Sequence, residues 1–148
     1  MIELKVKKLH PDAIIPTYAT DGSACFDLHA NKDMIVGDAD TVMESSPIST
    51  GLSFEIPLGW QMLIFSRSGV GFKQCVRLVN CVGVIDSDYR GEVMVKLVTD
   101  SSEKMFRVKK GDRIAQAQLM PVHRVTFNEV TELSETKRGS GGFGSTGL

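Results

Sequence analysis

The strongest constraint on the fold is an alternation of apolar and polar residues with a period of two. It is clear in "IELKVK" and "VMVKL", and short runs of similar character occur at "CFDLHA", "GLSFEI", "WQMLIFS", "VRLVN", "KMFRV" and "RIAQAQLMPV". This alternation is typical of half-buried strands. Turn signals such as "PLG", "DSDYRG" and "KKGD" separate the runs at the spacing of a sandwich, jelly roll or barrel. No segment predicts a long helix, and "GVGFKQC" allows one irregular turn at most. We therefore predict an all-β fold.

Size and composition narrow the class of protein. A chain of 148 residues is most simply one domain. Its net charge of -1 argues against nucleic-acid binding through bulk positive charge. The three cysteines lack C-x-x-C spacing, so neither a disulfide framework nor a zinc site is indicated. No apolar run approaches the roughly 20 residues that span a bilayer, and no signal peptide is recognisable. We expect a soluble, cytoplasmic protein with no nucleic-acid or membrane partner.

The C-terminal segment differs in character from the rest. We predict a β-domain over residues 1–128 and a C-terminal arm over residues 129–148. The last eleven residues, "RGSGGFGSTGL", contain five glycines and cannot form a packed core. Arg138 and Phe143 nevertheless place a cation and an aromatic ring within this flexible stretch. The sequence leaves two alternatives, a frayed tail or a strap that closes over an anionic and aromatic ligand.

Two polar stretches interrupt the first half of the strand pattern. In "DGSACFDL" a turn precedes Asp27, and ordinary turn chemistry is the favoured explanation. In "SRSGVGFK" an apolar strand leads into Arg67, Ser68 and Gly69. A guanidinium, a hydroxyl and an unobstructed backbone N–H at one point suit phosphate oxygens, and a capped turn explains them equally well.

Two further polar stretches lie in the second half. "NCVGVIDSDYRGE" predicts a tight hairpin whose backbone can read the edge of a planar base, with Asp86 near the sugar. A surface turn explains its later residues well, but explains less well the apolar "VGVI" that leads directly to a carboxylate. "KKGDRIAQ" places Gln116 on a strand rich in small apolar residues, with Arg113 paired structurally inside the body. Gln116 is a candidate polar contact or a satisfied structural residue.

These four stretches and the arm, in this order, resemble the five motifs of the trimeric dUTP diphosphatase (dUTPase) family. "GVIDSDYRGE", "GDRIAQ" and "RGSGGFGSTG" carry the resemblance, which spans residues 22–147. It implies a jelly-roll-like distorted β-barrel with a flexible glycine-rich arm. It also implies a homotrimer with three shared active sites that hydrolyses dUTP to dUMP and pyrophosphate with Mg²⁺. Such an activity limits uracil incorporation into DNA and supplies dUMP for thymidylate synthesis.

The resemblance assigns the base to the hairpin. Asn80 and the backbone of Gly83, Val84 and Ile85 would bind uracil, and the tight hairpin would exclude the methyl group of thymine. Met94 would line the pocket from the next strand.

For the sugar and the reacting water, the resemblance implies two residues. Asp86 would bond the 3′-hydroxyl and orient the attacking water, and Tyr89 would lie under the deoxyribose and exclude a 2′-hydroxyl. A carboxylate accepts protons only weakly near neutral pH, so we expect orientation to be the larger role of Asp86.

The resemblance assigns the phosphates and the metal to residues outside the hairpin. Arg67, Ser68 and Gly69, with Gln116, would hold the phosphates. Asp27 would support Mg²⁺ through its water shell, with the ion held mainly by the substrate phosphates.

The resemblance also assigns roles to the arm. Arg138 would clamp the γ-phosphate and Phe143 would stack on uracil. Ser145 and Thr146 would add hydroxyl and backbone donors to the phosphates. The arm would complete the active site of a neighbouring subunit.

Two departures from the family pattern and two alternative functions qualify this interpretation. Cys25 stands where the family usually has glycine, which predicts a shifted backbone around Asp27, and Ser66 replaces a common proline. A related dCTP deaminase, or an additional regulatory role in nucleotide-dependent protein binding, are the alternatives. The hairpin with Tyr89 and the complete arm favour the diphosphatase.

Overall fold

Antiparallel strands form nearly all of the regular structure. The computed structural model describes residues 2–37, 46–100, 105–145 and 147. Within these ranges there are eleven strands and one helix, which confirms the all-β prediction. In chain order they are β1 (Lys5–Lys8), β2 (Phe26–His29), β3 (Met34–Val36), β4 (Ile48–Glu55), β5 (Trp60–Phe65), α1 (Ser68–Gln74), β6 (Val76–Leu78), β7 (Val82–Ile85), β8 (Glu92–Val95), β9 (Leu97–Thr99), β10 (Phe106–Val108) and β11 (Arg113–Pro121).

The sheets pair strands that are distant in the chain. The largest sheet has the order β2-β11-β5-β7, so β7 forms one of its edges. A second sheet has the order β1-β4-β8, and two ribbons pair β10 with β3 and β6 with β9. All of these pairs are antiparallel. The layout therefore suits the expected jelly-roll-like barrel, in which sequence neighbours often lie in different sheets.

Strand alternation decides which side chains enter the core. Phe26 and Leu28 are buried on either side of Asp27, and Ala115 and Ala117 are buried on either side of Gln116. Because successive strand residues point to opposite faces, Asp27 and Gln116 lie on the face away from the core. The largest fully buried side chains come from both main sheets and the ribbons: Leu28, Ile48, Leu52, Ile56, Met62, Leu78, Leu97, Val36, Val76, Val93, Val95 and Val108.

The single helix is short and follows β5 directly. It covers seven residues, Ser68–Gln74, where the sequence predicts one irregular turn. Cys75 ends it in the left-handed conformation, with φ of 55°, and its N–H donates to the Gly71 carbonyl at 3.0 Å. Within the described ranges, no helix is long and apolar enough to cross a membrane. The helix thus begins where β5 delivers Arg67, Ser68 and Gly69.

The chain beyond β11 is exposed. Residues 122–140 are all exposed, and Phe127 and Leu133 have 92% and 87% of their surface accessible. At the start of this stretch the Val122 N–H donates to the Gly59 carbonyl at 2.8 Å. Large apolar side chains exposed along one stretch are a feature of surfaces that contact other chains.

Candidate active site

Charged and polar side chains meet around Asp27 on the main sheet. Asp27 on β2 is opposite Gln116 on β11, and Gln116 is opposite Phe65 on β5. The Nε atom of Arg67 donates to Oδ1 of Asp27 at 2.7 Å, and Arg113 donates to Oδ2 at 3.2 Å. The Asp27 side chain is only 14% exposed. Two guanidinium groups therefore hold one carboxylate. Arg113 is paired as expected, but its side chain is 51% exposed and not inside the body.

Ser66 and Gln116 fix the loop that carries Arg67. The Gln116 side-chain amide donates to the Ser66 carbonyl at 3.0 Å. The Ser66 hydroxyl accepts the Leu78 N–H at 2.9 Å, a bond that a proline at this position could not make.

Ser68 and Gly69 open α1 and are exposed. A Cβ built on Gly69 would meet no atom within 4 Å. The structure thus brings together all five residues assigned to the phosphates and the metal: Asp27, Arg67, Ser68, Gly69 and Gln116.

A cleft of about 380 Å³ lies beside β7. The five residues assigned to the base line it together: Asn80, Gly83, Val84, Ile85 and Met94. Ile64, Leu78 and Val95 supply apolar walls, and Lys96 lines the same cleft. A volume of this size and an apolar wall with a few polar groups are typical of a small-molecule site.

The edge position of β7 supplies the cleft with backbone groups. In the described part of the chain β7 pairs only with β5, so alternate residues turn their N–H and C=O groups towards its open edge. Gly83 is opposite Ile64, and a Cβ on Gly83 would lie 3.2 Å from Cβ of Ile64 and 3.6 Å from Nδ2 of Asn80. Glycine at this position therefore keeps the strand close to its neighbour and leaves the Asn80 amide in place.

Asp86 and Tyr89 lie outside the lining of this cleft. Asp86 lines a separate cleft of about 280 Å³, which includes Gln61, Asp88 and Arg124. The Tyr89 hydroxyl donates to the carbonyl of Glu92 at 2.9 Å. Its ring covers Gly91, because a Cβ on that glycine would lie 2.6 Å from Cζ of Tyr89.

Asp86 and Arg67 lie beyond opposite ends of the β5–β7 ladder. Ile85 pairs with Met62 at one end and Val82 pairs with Phe65 at the other. Three residue steps along a strand separate these ends by about 10 Å. Across the sheet, Arg67 extends to β2, which lies three strands from β7 and so about 14 Å away. One chain alone does not bring the two functional groups together.

The arm contains its own local contacts. Arg138 donates from Nε to the Gly141 carbonyl at 2.7 Å, and the Ser145 N–H donates to the Gly142 carbonyl at 3.0 Å. Phe143 is fully exposed and has φ of 47°. Thr146 lies outside the described residues.

Burial shifts the pKa of two side chains close to Asp27. Burial, and then the neighbouring Asp27 carboxylate, raise the pKa of the Cys25 thiol. Burial is also the main cause that lowers the pKa of His29, and it outweighs the opposite effect of Asp27. The Nδ1 atom of His29 is buried and has no hydrogen-bond partner among the described residues. With Cys25 in place of the usual glycine, Asp27 lies within strand β2 and its carboxylate accepts a hydrogen bond from Arg67.

Comparison with known proteins connects this geometry to a family. The family model for dUTPase matches residues 11–147. The chain belongs to the dUTPase family. The relatives include the deoxyuridine 5′-triphosphate nucleotidohydrolases of Nautilia profundicola and Helicobacter hepaticus. The first is 48% identical over 146 residues, covering 99% of both chains, and the second is 44% identical over 147 residues, covering 99% of this chain and 90% of the relative.

Solved dUTPase structures share the fold. The dUTPase of Staphylococcus bacteriophage 80alpha, in a complex with dUpNHpp, superimposes with a TM-score of 0.87 at 25% sequence identity, and the match covers 100% of each chain. This likeness confirms the jelly-roll-like β fold expected for a dUTPase family member.

Two residues near the dUTPase motifs are parts of the site that sequence patterns do not indicate. Lys96 lies in the base cleft, yet in the sequence it is an ordinary polar position of an alternating strand. In the sequence Ser66 is only a departure from a common proline, because its hydroxyl contact with β6 depends on the fold. For Lys96, the spacing of two residues from Met94 was the available signal.

Proposed function

We propose that this member of the dUTPase family hydrolyses dUTP to dUMP and pyrophosphate, and so limits uracil incorporation into DNA and supplies dUMP for thymidylate synthesis. The 380 Å³ cleft beside β7 carries the proposal, because it joins an open strand edge to Asn80 and apolar walls. The choice of dUTP is supported by full-length likeness to relatives named for that substrate.

The base binds along β7. β7 pairs with β5 on one side only, so alternate residues within Gly83, Val84 and Ile85 turn their backbone N–H and C=O groups outward. These outward groups, with the Asn80 amide, offer donors and acceptors that complement the edge of uracil. Gly83 lies against Ile64 without a Cβ, so the hairpin stays narrow and leaves no space for the thymine methyl group. Met94 is half-exposed and covers the base from β8.

The sugar and the attacking water lie at the end of the hairpin. Asp86 follows Ile85 directly and is exposed, so it can bond the 3′-hydroxyl and hold a water in line with the departing pyrophosphate. Tyr89 contributes a flat ring, fixed by its bond to the Glu92 carbonyl, on which the deoxyribose rests. A 2′-hydroxyl would collide with that ring.

The phosphates bind at the junction of β5 and α1. Asp27 fixes the Arg67 guanidinium, Ser68 offers a hydroxyl, and Gly69 offers an open backbone N–H. The Gln116 amide bonds the Ser66 carbonyl, so it positions this loop. Positive charge and fixed donors stabilise the charge of the transition state in phosphoryl transfer.

The donor set fits Mg²⁺ bound together with the substrate. Each Asp27 oxygen accepts one arginine bond and has a lone pair left for a water molecule. The described residues contain no cluster of three or more His, Cys, Asp or Glu that could hold a metal alone. Mg²⁺ in nucleotide sites is usually held by substrate phosphates, waters and one or two carboxylates. When bound, the ion would neutralise phosphate charge, and Asp27 would hold it through water.

A homotrimer completes the site. Asp86 and Arg67 of one chain lie too far apart to act on one α-phosphate. The hairpin of one protomer therefore faces the junction of β5 and α1, with its Arg67, of another protomer. The arm, with Arg138, Phe143, Ser145 and Thr146, closes over this shared site, and its exposed apolar side chains find cover on neighbouring subunits. Sedimentation velocity tests the assembly, and a monomer at micromolar concentration contradicts it.

A pyrophosphate-release assay tests the activity. The purified protein is given dUTP, UTP, dTTP or dCTP, with Mg²⁺ or with excess EDTA. We expect rapid release from dUTP with Mg²⁺ and rates lower by orders of magnitude otherwise. Conversion of dCTP to dUTP with release of ammonia would identify a deaminase instead, and inactivity towards dUTP would refute the proposal.

A further inference from the structure

We infer that Lys96 is a specificity-determining residue, whose ammonium group favours uracil over cytosine by donating to the oxygen on the 4-position of the base. The inference rests on the proposed function and concerns a residue that the sequence motifs leave out. Lys96 lines the 380 Å³ cleft with Asn80 and Met94, and it is the one formally charged residue among the described residues of that lining.

The backbone places Lys96 at the Asn80 end of β7. The Lys96 carbonyl accepts the N–H of Val79 at 3.0 Å, which fixes its main chain next to Asn80. Val95 is buried, whereas Met94 and Lys96 are exposed, so these two side chains project from the same face of the chain towards the cleft.

The direction of the base follows from the two ends of β7. Asp86, assigned to the sugar, comes directly after Ile85, whereas Asn80 precedes the strand. In a pyrimidine nucleotide the sugar is attached to N1, and C4 lies on the opposite side of the ring. A base laid along β7 with its sugar towards Asp86 therefore points its 4-substituent towards Asn80 and Lys96.

The two pyrimidines differ in what they offer to an ammonium group. Uracil has a carbonyl oxygen at the 4-position, which accepts hydrogen bonds, whereas cytosine has an amino group, which donates them. Lysine has three donors and no acceptor, so it can bond the first and not the second. Ile64 and Leu78 are apolar residues of the same lining, and a bound base that displaces water from the cleft would strengthen the charged contact. No ion pair within the described residues occupies Lys96.

The Lys96 carbonyl makes the contact with Val79 and the residue is exposed, so we expect a side-chain substitution to leave the fold intact. The test compares Lys96→Met with Lys96→Arg, which keeps the charge, and with Lys7→Met, which removes a cation from exposed strand β1. The kcat/KM for dUTP and the competitive inhibition constant of dCTP against dUTP are measured for each variant, with thermal melting as a check of folding.

We expect Lys96→Met to reduce the preference for dUTP over dCTP by about 10-fold or more, mainly through a higher KM for dUTP. Lys96→Arg should recover part of the preference, and Lys7→Met should match the unmodified protein. As a second probe, 4-thio-dUTP replaces the oxygen with a weaker acceptor, so its penalty relative to dUTP should shrink in Lys96→Met.

The possible results distinguish failure of the Lys96 role from failure of the proposed dUTP hydrolysis. An unmodified protein that hydrolyses dUTP, with the same preference over dCTP in Lys96→Met, overturns this inference and leaves the proposed function intact. Equal losses in Lys96→Met and Lys7→Met also overturn it, because the effect would then be one of net charge. An unmodified protein that releases no pyrophosphate from dUTP overturns both.

Discussion

The Nε atom of Arg67 lies 2.7 Å from Oδ1 of Asp27 and joins the loop after β5 to β2 across the intervening β11. Both side chains are mostly buried, with 23% and 14% of their surface exposed. The pair points the guanidinium in one direction before any phosphate binds. It also links the stability of the sheet to the geometry of the β5–α1 junction, which is proposed to bind the phosphates.

Asp27→Asn should therefore lower both stability and activity. Arg67 and Arg113 would lose their shared carboxylate, and we expect the free energy of unfolding to fall by about 1–3 kcal/mol, measured by urea denaturation. Glu55→Gln is the control, because it breaks the exposed pair with Lys5 and should change little. Equal urea midpoints for Asp27→Asn and the unmodified protein would contradict this role.

Asp86→Asn should reduce kcat for dUTP by about 100-fold or more, since it removes the charged group that orients the water. Steady-state pyrophosphate release measures the effect. Asp88→Asn is a matched control, because Asp88 lines the same small cleft and has no assigned role in catalysis. Near-normal turnover in Asp86→Asn would show that this assignment is wrong.

Gly91→Ala should weaken the discrimination between dUTP and UTP without altering Asp86. The new Cβ would lie 2.6 Å from Cζ of Tyr89, so the ring must move. The ratio of kcat/KM for the two substrates should fall, as it should in Tyr89→Ala. Tyr89→Phe keeps the ring and loses only the bond to the Glu92 carbonyl, so it should retain most of the ratio. Unchanged ratios in Gly91→Ala and Tyr89→Ala would refute the steric role.

Removal of residues 138–148 should leave the β-domain folded and sharply reduce dUTP hydrolysis. Phe143→Ala alone should weaken nucleotide binding by roughly 5- to 150-fold, the range expected from loss of one base stack. Phe143→Trp keeps an aromatic face and serves as the control. Hydrogen exchange over residues 138–145 should slow when a nonhydrolysable dUTP analogue binds. Equal exchange with and without the analogue would contradict a closing strap.

The His29 side chain should make stability depend on pH in the acidic range. Burial lowers its pKa in the folded protein, whereas the unfolded chain takes up a proton near pH 6.5. Its contribution to stability is therefore complete above about pH 6.5 and is lost as the pH falls through the lower, folded pKa. Urea denaturation between pH 8 and pH 5 should show a flatter slope for His29→Asn. The exposed His10→Asn should keep the slope, and identical slopes for all three proteins would exclude His29 as the cause.

Local pattern predicted most of the strands, but none of the predicted runs covers β3. "WQMLIFS" predicted β5 and "RIAQAQLMPV" predicted β11 to within a residue or two, because alternation reports directly which residues face the core. The motifs also named residues that meet in the structure, such as Asn80 and Met94, which line one cleft.

Pairing between distant segments could not be predicted. Asp27 and Arg67 are 40 residues apart, and strand pattern alone does not say which strands become neighbours. The Ser66 hydroxyl bond to Leu78 and the position of Lys96 have the same origin, since each depends on how β6 and β8 are placed. The order of the motifs likewise gave no sign that Asp86 and Arg67 lie beyond opposite ends of one ladder.

The open edge of β7 also affects how readily the protein can aggregate. Unpaired strand edges promote aggregation, because they can pair with a strand from any other chain. β7 presents only four residues, and Cys81 immediately before it adopts a left-handed conformation with φ of 60°, which stops the ladder from extending. The outward backbone groups of β7 that are proposed to select the base could therefore also pair with a strand of another chain. A nucleotide bound to these groups would block such pairing.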